Sequence, residues 1–318
     1  MKNTFALIIF LIASLASFGN PNYDMIVAQD GSGDFTSVQE AINATKAFPP
    51  QRITIFIKNG VYHEKVNVYS WNTDLTIIGE SIDSTIITYD DYFNKINLGR
   101  NSTFHTWTMK VEGNNFIGID FTVENSAGPV GQAVALHVEA DQCTFKNIRI
   151  LGNQDALYAA GIHCHQYYQD CYIEGTTDFI FGAATALFEK CTIQSKSNSY
   201  ITAASTPEDV EFGYVFKNCK LTAKEGVDKV YLGRPWRKYA KTVFIECELD
   251  GHIAPEGWAA WSNAGDLQTT YYAEYHNLGP GAYTPRRVEW SHQLTDEEAS
   301  KYSKENILKI GTKIEDAN

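Results

Sequence analysis

Two aspartates stand in unusual company between Gly152 and Gly182. Asp155 follows Gln154 and precedes Ala-Leu-Tyr158, and Asp178 lies between Thr177 and the apolar run Phe179-Ile180-Phe181. An ionised carboxylate among apolar groups is costly unless it is paired, so two solvated loop acids describe these residues poorly. If the fold brings the two together, they resist joint ionisation, and one keeps its proton at a pH where the other is charged. Such a pair offers a nucleophile and a proton donor made from one residue type.

A repeat supplies the means of bringing them together. Tyr168-Gln-Asp-Cys171-Tyr-Ile173, Phe188-Glu-Lys-Cys191-Thr-Ile193, Phe216-Lys-Asn-Cys219-Lys-Leu221 and Phe244-Ile-Glu-Cys247-Glu-Leu249 share one pattern, and Phe145 to Ile150 and Phe116 to Phe121 carry Ile in place of Cys. The aromatic positions 116, 145, 168, 188, 216 and 244 are spaced by 29, 23, 20, 28 and 28 residues. Each unit is a short alternating strand followed by turn residues, with no helix between, which predicts an all-β, single-domain, right-handed parallel β-helix. Ile53 to Ile57 and Leu75 to Ile78 extend the strands towards the amino end. Asp178 follows Asp155 by 23 residues, one coil, which places the two side chains on adjacent rungs roughly 5 to 7 Å apart.

Ile can replace a buried thiol but not half of a disulfide, so Cys171, Cys191, Cys219 and Cys247 read as free core residues, while Cys143 and Cys164 are left open to pair. Short terminal helices are expected to close the coil ends: Ser37 to Ala44, and a capping box at Thr295 to Glu298 opening a helix through about Ile307.

Residues 1–19 read as a secretory signal peptide, with Lys2 before an apolar run from Phe5 to Leu15 that is too short to span a bilayer. The remaining 20–318 read as one catalytic domain, secreted, with no membrane association after cleavage. The 26 basic and 38 acidic residues give −12, or −13 without Lys2, and no basic stripe suits a nucleic acid. With that charge, moderate salt is expected to help binding to any polyanionic ligand. Gly31-Ser-Gly33 lacks the Gly-Lys-Ser/Thr of a phosphate loop, and the eight histidines show no metal-ligand spacing.

Gly60-Val-Tyr62-His-Glu64, Gln132 to Leu136, Gln154-Asp155-Ala-Leu157-Tyr158, Gly175-Thr-Thr-Asp178-Phe-Ile-Phe-Gly182 and Leu232-Gly233-Arg234-Pro235-Trp236, in this order, resemble the pectin methylesterases, and the likeness runs from about Met25 to Leu308. The resemblance implies a parallel β-helix that hydrolyses galacturonate methyl esters in pectin, releasing methanol, with no cofactor or metal and as a monomer. It implies Asp178 as nucleophile, Asp155 as general acid and then base, and Gln132 with Gln154 as oxyanion donors. It further implies that Arg234 and Trp236 orient the nucleophile and contact the sugar, with Tyr158, Phe181 and Thr103 as further substrate contacts.

The assignments make chemical sense. Neutral amides stabilise an oxyanion without competing for the carboxylates, Arg234 offers a fork of donors to Asp178, and methoxide leaves poorly unless protonated. Ala156 stands where the family has Thr or Ser, Thr177 where it has Val, and the segment between the aspartates is two residues longer than is common, in a loop expected to border the site. The amino-terminal inhibitor-like extension of many plant members is absent, which favours a microbial source. Paired aspartates also serve glycoside hydrolysis, so a polygalacturonase is the nearest rival, with a lyase and a non-catalytic carbohydrate-binding β-helix behind it.

Overall fold

The computed structural model describes residues 23–261 and 267–309. The expected leader, residues 1–19, lies outside them. The chain winds into a right-handed parallel β-helix whose coils each add a strand to two or three parallel sheets, of eleven, eight and seven strands. We call these sheets A, B and C respectively. Every paired strand in them is parallel to its neighbour. Ile53–Ile57 and Leu75–Gly79 are neighbours in sheet A, in agreement with the alternation of their apolar residues.

The repeat is visible as columns inside the coil. Phe145, Tyr168, Phe188, Phe216 and Phe244 occupy one register position in sheet A, and successive rings stack nearly parallel at 5.1, 4.7, 4.5 and 4.3 Å. Two residues after each aromatic the chain turns sharply into sheet B through one left-handed residue, Asn147, Asp170, Lys190, Asn218 or Glu246, with φ between 50° and 54°. Lys and Glu are tolerated there because each amide still bonds a carbonyl of the next coil, as Lys190 does to Lys217 at 3.0 Å. The cysteines follow the turn. Their Sγ atoms donate to the carbonyl of the aromatic one coil earlier, from Cys171 to Phe145 at 3.4 Å through Cys247 to Phe216 at 3.5 Å, and all six cysteines are free. Cys143 and Cys164 are unpaired as well.

One coil departs from the sequence register. Phe145 pairs with Gly118, not Phe116, so Phe121 and not Ile119 holds the place of Ile148 and the cysteines. Phe116 still reaches the column, tilted by 44° at 5.5 Å from Phe145. The missing side chain of Gly118 admits it, since a Cβ there would meet Phe116, Phe121 and Phe145 ring atoms at 3.1 Å each.

Helix Val38–Ala44 does close the amino end, burying Val38, Ala41 and Ile42. Glu64, the last residue of the Gly60 motif, holds its first turn by accepting from Ser37 Oγ, Val38 N and Gln39 N at 2.7, 2.9 and 3.0 Å. A carboxylate there also complements the helix dipole. The carboxyl end differs from expectation in two respects. The capping box at Thr295 forms, but helix Asp296–Ser300 stops, and a second helix, Lys304–Leu308, starts afresh at the Ser303 cap. Neither plugs the open coil. Tyr302, Ile307 and Leu308 lie instead against the outer face of sheet A, on Tyr167, Leu187 and Val215, an apolar column that water would otherwise meet.

Candidate active site

The outward column of sheet C forms the floor of the candidate site. His137, Tyr158, Phe181 and Ala203 are successive rungs, and Arg234 continues the column just beyond the strand Tyr231–Gly233. The catalytic candidates sit where the chain enters this sheet. Gln132 pairs with Gln154 as an isolated parallel bridge, and the register of Leu157 with Ile180 sets Asp155 beside Asp178 one coil away. Both aspartates adopt left-handed backbone, φ 65° and 48°, a conformation that Asp accepts more readily than most residues. Their amides remain satisfied by the next coil, Asp155 N to Thr177 O at 3.1 Å and Asp178 N to Tyr200 O at 2.8 Å. The turn therefore aims each carboxylate outward without loss of a ladder hydrogen bond.

Asp178 is buried and gripped by a two-point fork. Arg234 Nε donates to Oδ1 at 2.9 Å and Nη2 to Oδ2 at 2.6 Å. Burial raises the Asp178 pKa and Arg234 pulls it back, with burial the larger effect. Asp155 is pushed up much further, first by burial and then by the Asp178 charge, against the weaker pull of Arg234 and the Gln154 amide. The two carboxyls are thus made unlike by their surroundings. Asp155 is the one that keeps a proton.

These groups line a cleft of about 520 Å³ together with Thr103, Phe181, Trp236, Arg100, Asn101, Phe104, Ala203, Arg237 and Trp261. Of the nine residues singled out from sequence, eight line it directly. The ninth, Tyr158, stacks against Phe181 at 4.5 Å and is part of the apolar cluster that floors it, its hydroxyl pushed up to about 12 by burial and by Glu139. Trp236 lies 5.8 Å from the Phe181 ring. The wall of which the sequence reading named only Thr103 is the segment from Asp91 to Trp107, which includes the 3-10 turn Gly99–His105. Lys65 ties it down, donating to Asp91 Oδ2 at 2.8 Å and His105 O at 2.7 Å while lying over the Trp107 ring. From it, Phe93 N donates to Gln132 O at 2.9 Å. The family resemblance at Thr103 was the one signal read for this wall, and the Trp258-Ala-Ala-Trp261 pair was the signal available for Trp261.

The chain is similar to known proteins over most of its length. A family model described as pectinesterase matches residues 24–311. The chain belongs to the pectinesterase family. Pectinesterase 31 of Arabidopsis thaliana is 41% identical over 284 residues, covering 87% of this chain and 89% of that one. The pectin methylesterase from carrot superimposes with a TM-score of 0.86 at 33% identity, covering 92% and 94% of the two chains. That of Erwinia chrysanthemi gives 0.80 at 26% identity, covering 92% and 98%. Against the longer Arabidopsis relatives named pectinesterase/pectinesterase inhibitor the chain spans about half their length, 53% in one case.

Where this pectinesterase departs from the family pattern, the contacts are local. Thr177 Oγ1 lies 2.8 Å from Ser199 Oγ, and the small Ala156 is packed against Gly152, where a Cβ would sit 2.7 Å from the Ala156 methyl. The irregular stretch between the aspartates, residues 160–164, follows strand Leu157–Ala159 at its far end from Asp155 and contributes nothing to the cleft lining. Of the segment between the aspartates, Tyr158 borders the cleft floor and residues 160–164 lie outside the lining. No group of three or more potential metal-ligating side chains is placed together among the described residues.

Proposed function

We propose that this pectinesterase hydrolyses the methyl esters of galacturonate in pectin through Asp178 and Asp155, as part of cell-wall modification or pectin degradation. The observation that carries the assignment is the unequal pair: Asp178 held by a bidentate Arg234, beside an Asp155 whose pKa is raised well above the usual carboxylate range. Asp178 attacks the ester carbonyl carbon, and negative charge gathers on the former carbonyl oxygen, facing the side-chain amides of Gln132 and Gln154. As the tetrahedral species collapses, Asp155 gives its proton to the departing methoxide, so methanol leaves and an anhydride to Asp178 remains. Asp155, now a carboxylate, takes a proton from water, the hydroxide adds to the anhydride, and Asp178 is released with a galacturonate carboxylate as product. Trp236, Phe181, Tyr158 and Thr103 hold the sugar against the cleft floor.

An oligosaccharide ligand is in keeping with a related solved structure, a pectin methylesterase in complex with a hexasaccharide at 26% identity. Residues 1–19 are proposed as a leader that sends residues 20–318 out of the cell as one monomeric catalytic unit; no described helix is long and apolar enough to cross a membrane. Purified protein with highly methylated pectin tests the reading by parallel assay of methanol and new reducing ends. Methanol alone is expected. Reducing ends without methanol would replace the esterase with a backbone hydrolase, and neither product would leave a binding protein.

A further inference from the structure

Arg234 presents more to its surroundings than the fork on Asp178. Its guanidinium carbon lies over two rings, 4.0 Å from the centre of Tyr200 and 3.9 Å from that of Trp261. A delocalised planar cation gains from each such face, most from a tryptophan, and its freedom to tilt is removed. Both rings are themselves anchored. Tyr200 is stacked on Tyr231 at 5.5 Å, and its carbonyl is the acceptor for the Asp178 amide, so one residue fixes the backbone of Asp178 and the plane of its partner. Trp261 follows the buried Trp258, and Ala259 N bonds Gly233 O, the residue before Arg234. Behind that segment Arg287 donates to Pro255 O at 3.1 Å and pairs with the buried Glu274 at 2.7 Å. The clamp is thus braced against the last coils of the helix.

We propose that Tyr200 and Trp261 are positioning residues for the esterase reaction, acting through Arg234 on the carboxylate of Asp178. With two rings against its guanidinium and its edge on Asp178, Arg234 is fixed to orient and hold charged the attacking group. Trp261 also lines the cleft, so a plain sugar-wall role is the competing outcome. The inference rests on the reading of Asp178 as nucleophile, and the test separates the two.

The experiment measures the Asp178 pKa by carbon-13 carboxyl titration, alongside kcat and KM on methylated pectin, in Trp261→Leu, Trp261→Phe, Tyr200→Leu and Tyr200→Phe. Loosening Arg234 weakens the effect that lowers this pKa, so it rises by about half to one pH unit in the leucine variants. The acidic limb of kcat/KM moves up by the same amount. About a tenfold fall in kcat accompanies it, with KM within about threefold. Phenylalanine at either position recovers most of the shift, and should a leucine variant fail to fold, Trp261→Phe still moves the pKa in the same direction by a smaller amount, a phenyl face being the weaker one. A raised KM with an unmoved Asp178 pKa would overturn the proposal. The titration reports on the clamp even if Asp178→Asn proves active, which would sink the nucleophile assignment alone.

Discussion

Replacing Arg234 by Met removes the cation and keeps an apolar chain between Tyr200 and Trp261. What remains is the Asp178 carboxyl, whose side chain is only 7% exposed, against 22% for Arg234. Breaking a buried pair by deleting one partner costs about 3–5 kcal/mol, and the partial exposure of the arginine argues for the lower end. The cost depends on pH in a stated direction. Burial already raises the Asp178 pKa with Arg234 opposing it, and without Arg234 the folded-state value climbs further. A carboxyl whose folded pKa lies above its unfolded value of about 3.9 is unpenalised at acid pH, and stability is lost as pH rises from there through the folded pKa, by up to about 1.36 kcal/mol per pH unit. Urea unfolding of wild type and Arg234→Met should therefore differ little at pH 4.5 and by about 3 kcal/mol at pH 8. Adding Asp178→Asn removes the charge and should shrink the pH 8 gap to within about 1 kcal/mol. A gap of equal size at both pH values, or one that survives the second substitution, would refute the view that the fork exists to hold a buried carboxylate.

The raised pKa of Asp155 has the same sign, so Asp155→Asn should match wild type near pH 4 and exceed it by at least about 1 kcal/mol at pH 8 while pectin turnover falls; a less stable variant at pH 8 would contradict the assignment. With an activated galacturonate ester, that variant should release a burst of about one equivalent of alcohol and then turn over slowly, and Asp178→Asn should give none. Thiol titration of denatured, non-reduced protein should find all six cysteines, against one slow thiol in the native state, since Cys164 alone is only half-buried and its pKa is pushed up to about 11 by burial. Gly118→Val should cost about 1–3 kcal/mol in urea unfolding because its Cβ meets three aromatic rings, whereas Ile119→Val costs less; the reverse order would restore the register read from sequence.

The architecture was legible because a solenoid writes one constraint many times. An aromatic followed three residues later by Cys or Ile recurs in successive coils, and each recurrence independently reports an inward position, so the ladder from Phe145 to Phe244 and the free thiols follow from the pattern alone. The coil at Phe116 shows the limit. There the pattern matches at Ile119, but a glycine in the strand let the chain slip by two residues and still fill the column with a ring, a substitution of space that no local pattern records. The carboxyl-terminal helices misled for a related reason: their cap was visible, but the outer face of sheet A that they cover is assembled from strands far apart in the chain.

By itself the sequence determined the period, and with it that Asp155 and Asp178 would share a face one rung apart, because hydrogen-bonded coils convert a residue count into a distance. It also determined the types of group available: two carboxyls, two amides and one guanidinium. Only the tertiary structure decided what those groups became. Whether a carboxyl holds its proton depends on how much water it retains and which charges stand beside it, and these are set by Arg234 from two coils on, Trp261 from further still, and the wall from Asp91 to Trp107 pinned by Lys65. Arg234 keeps the coil register of Phe181 and Ala203, whereas Trp261 and the wall meet the site across separations that follow no period. These contacts arise from packing in three dimensions, and the chemistry of the cleft is theirs.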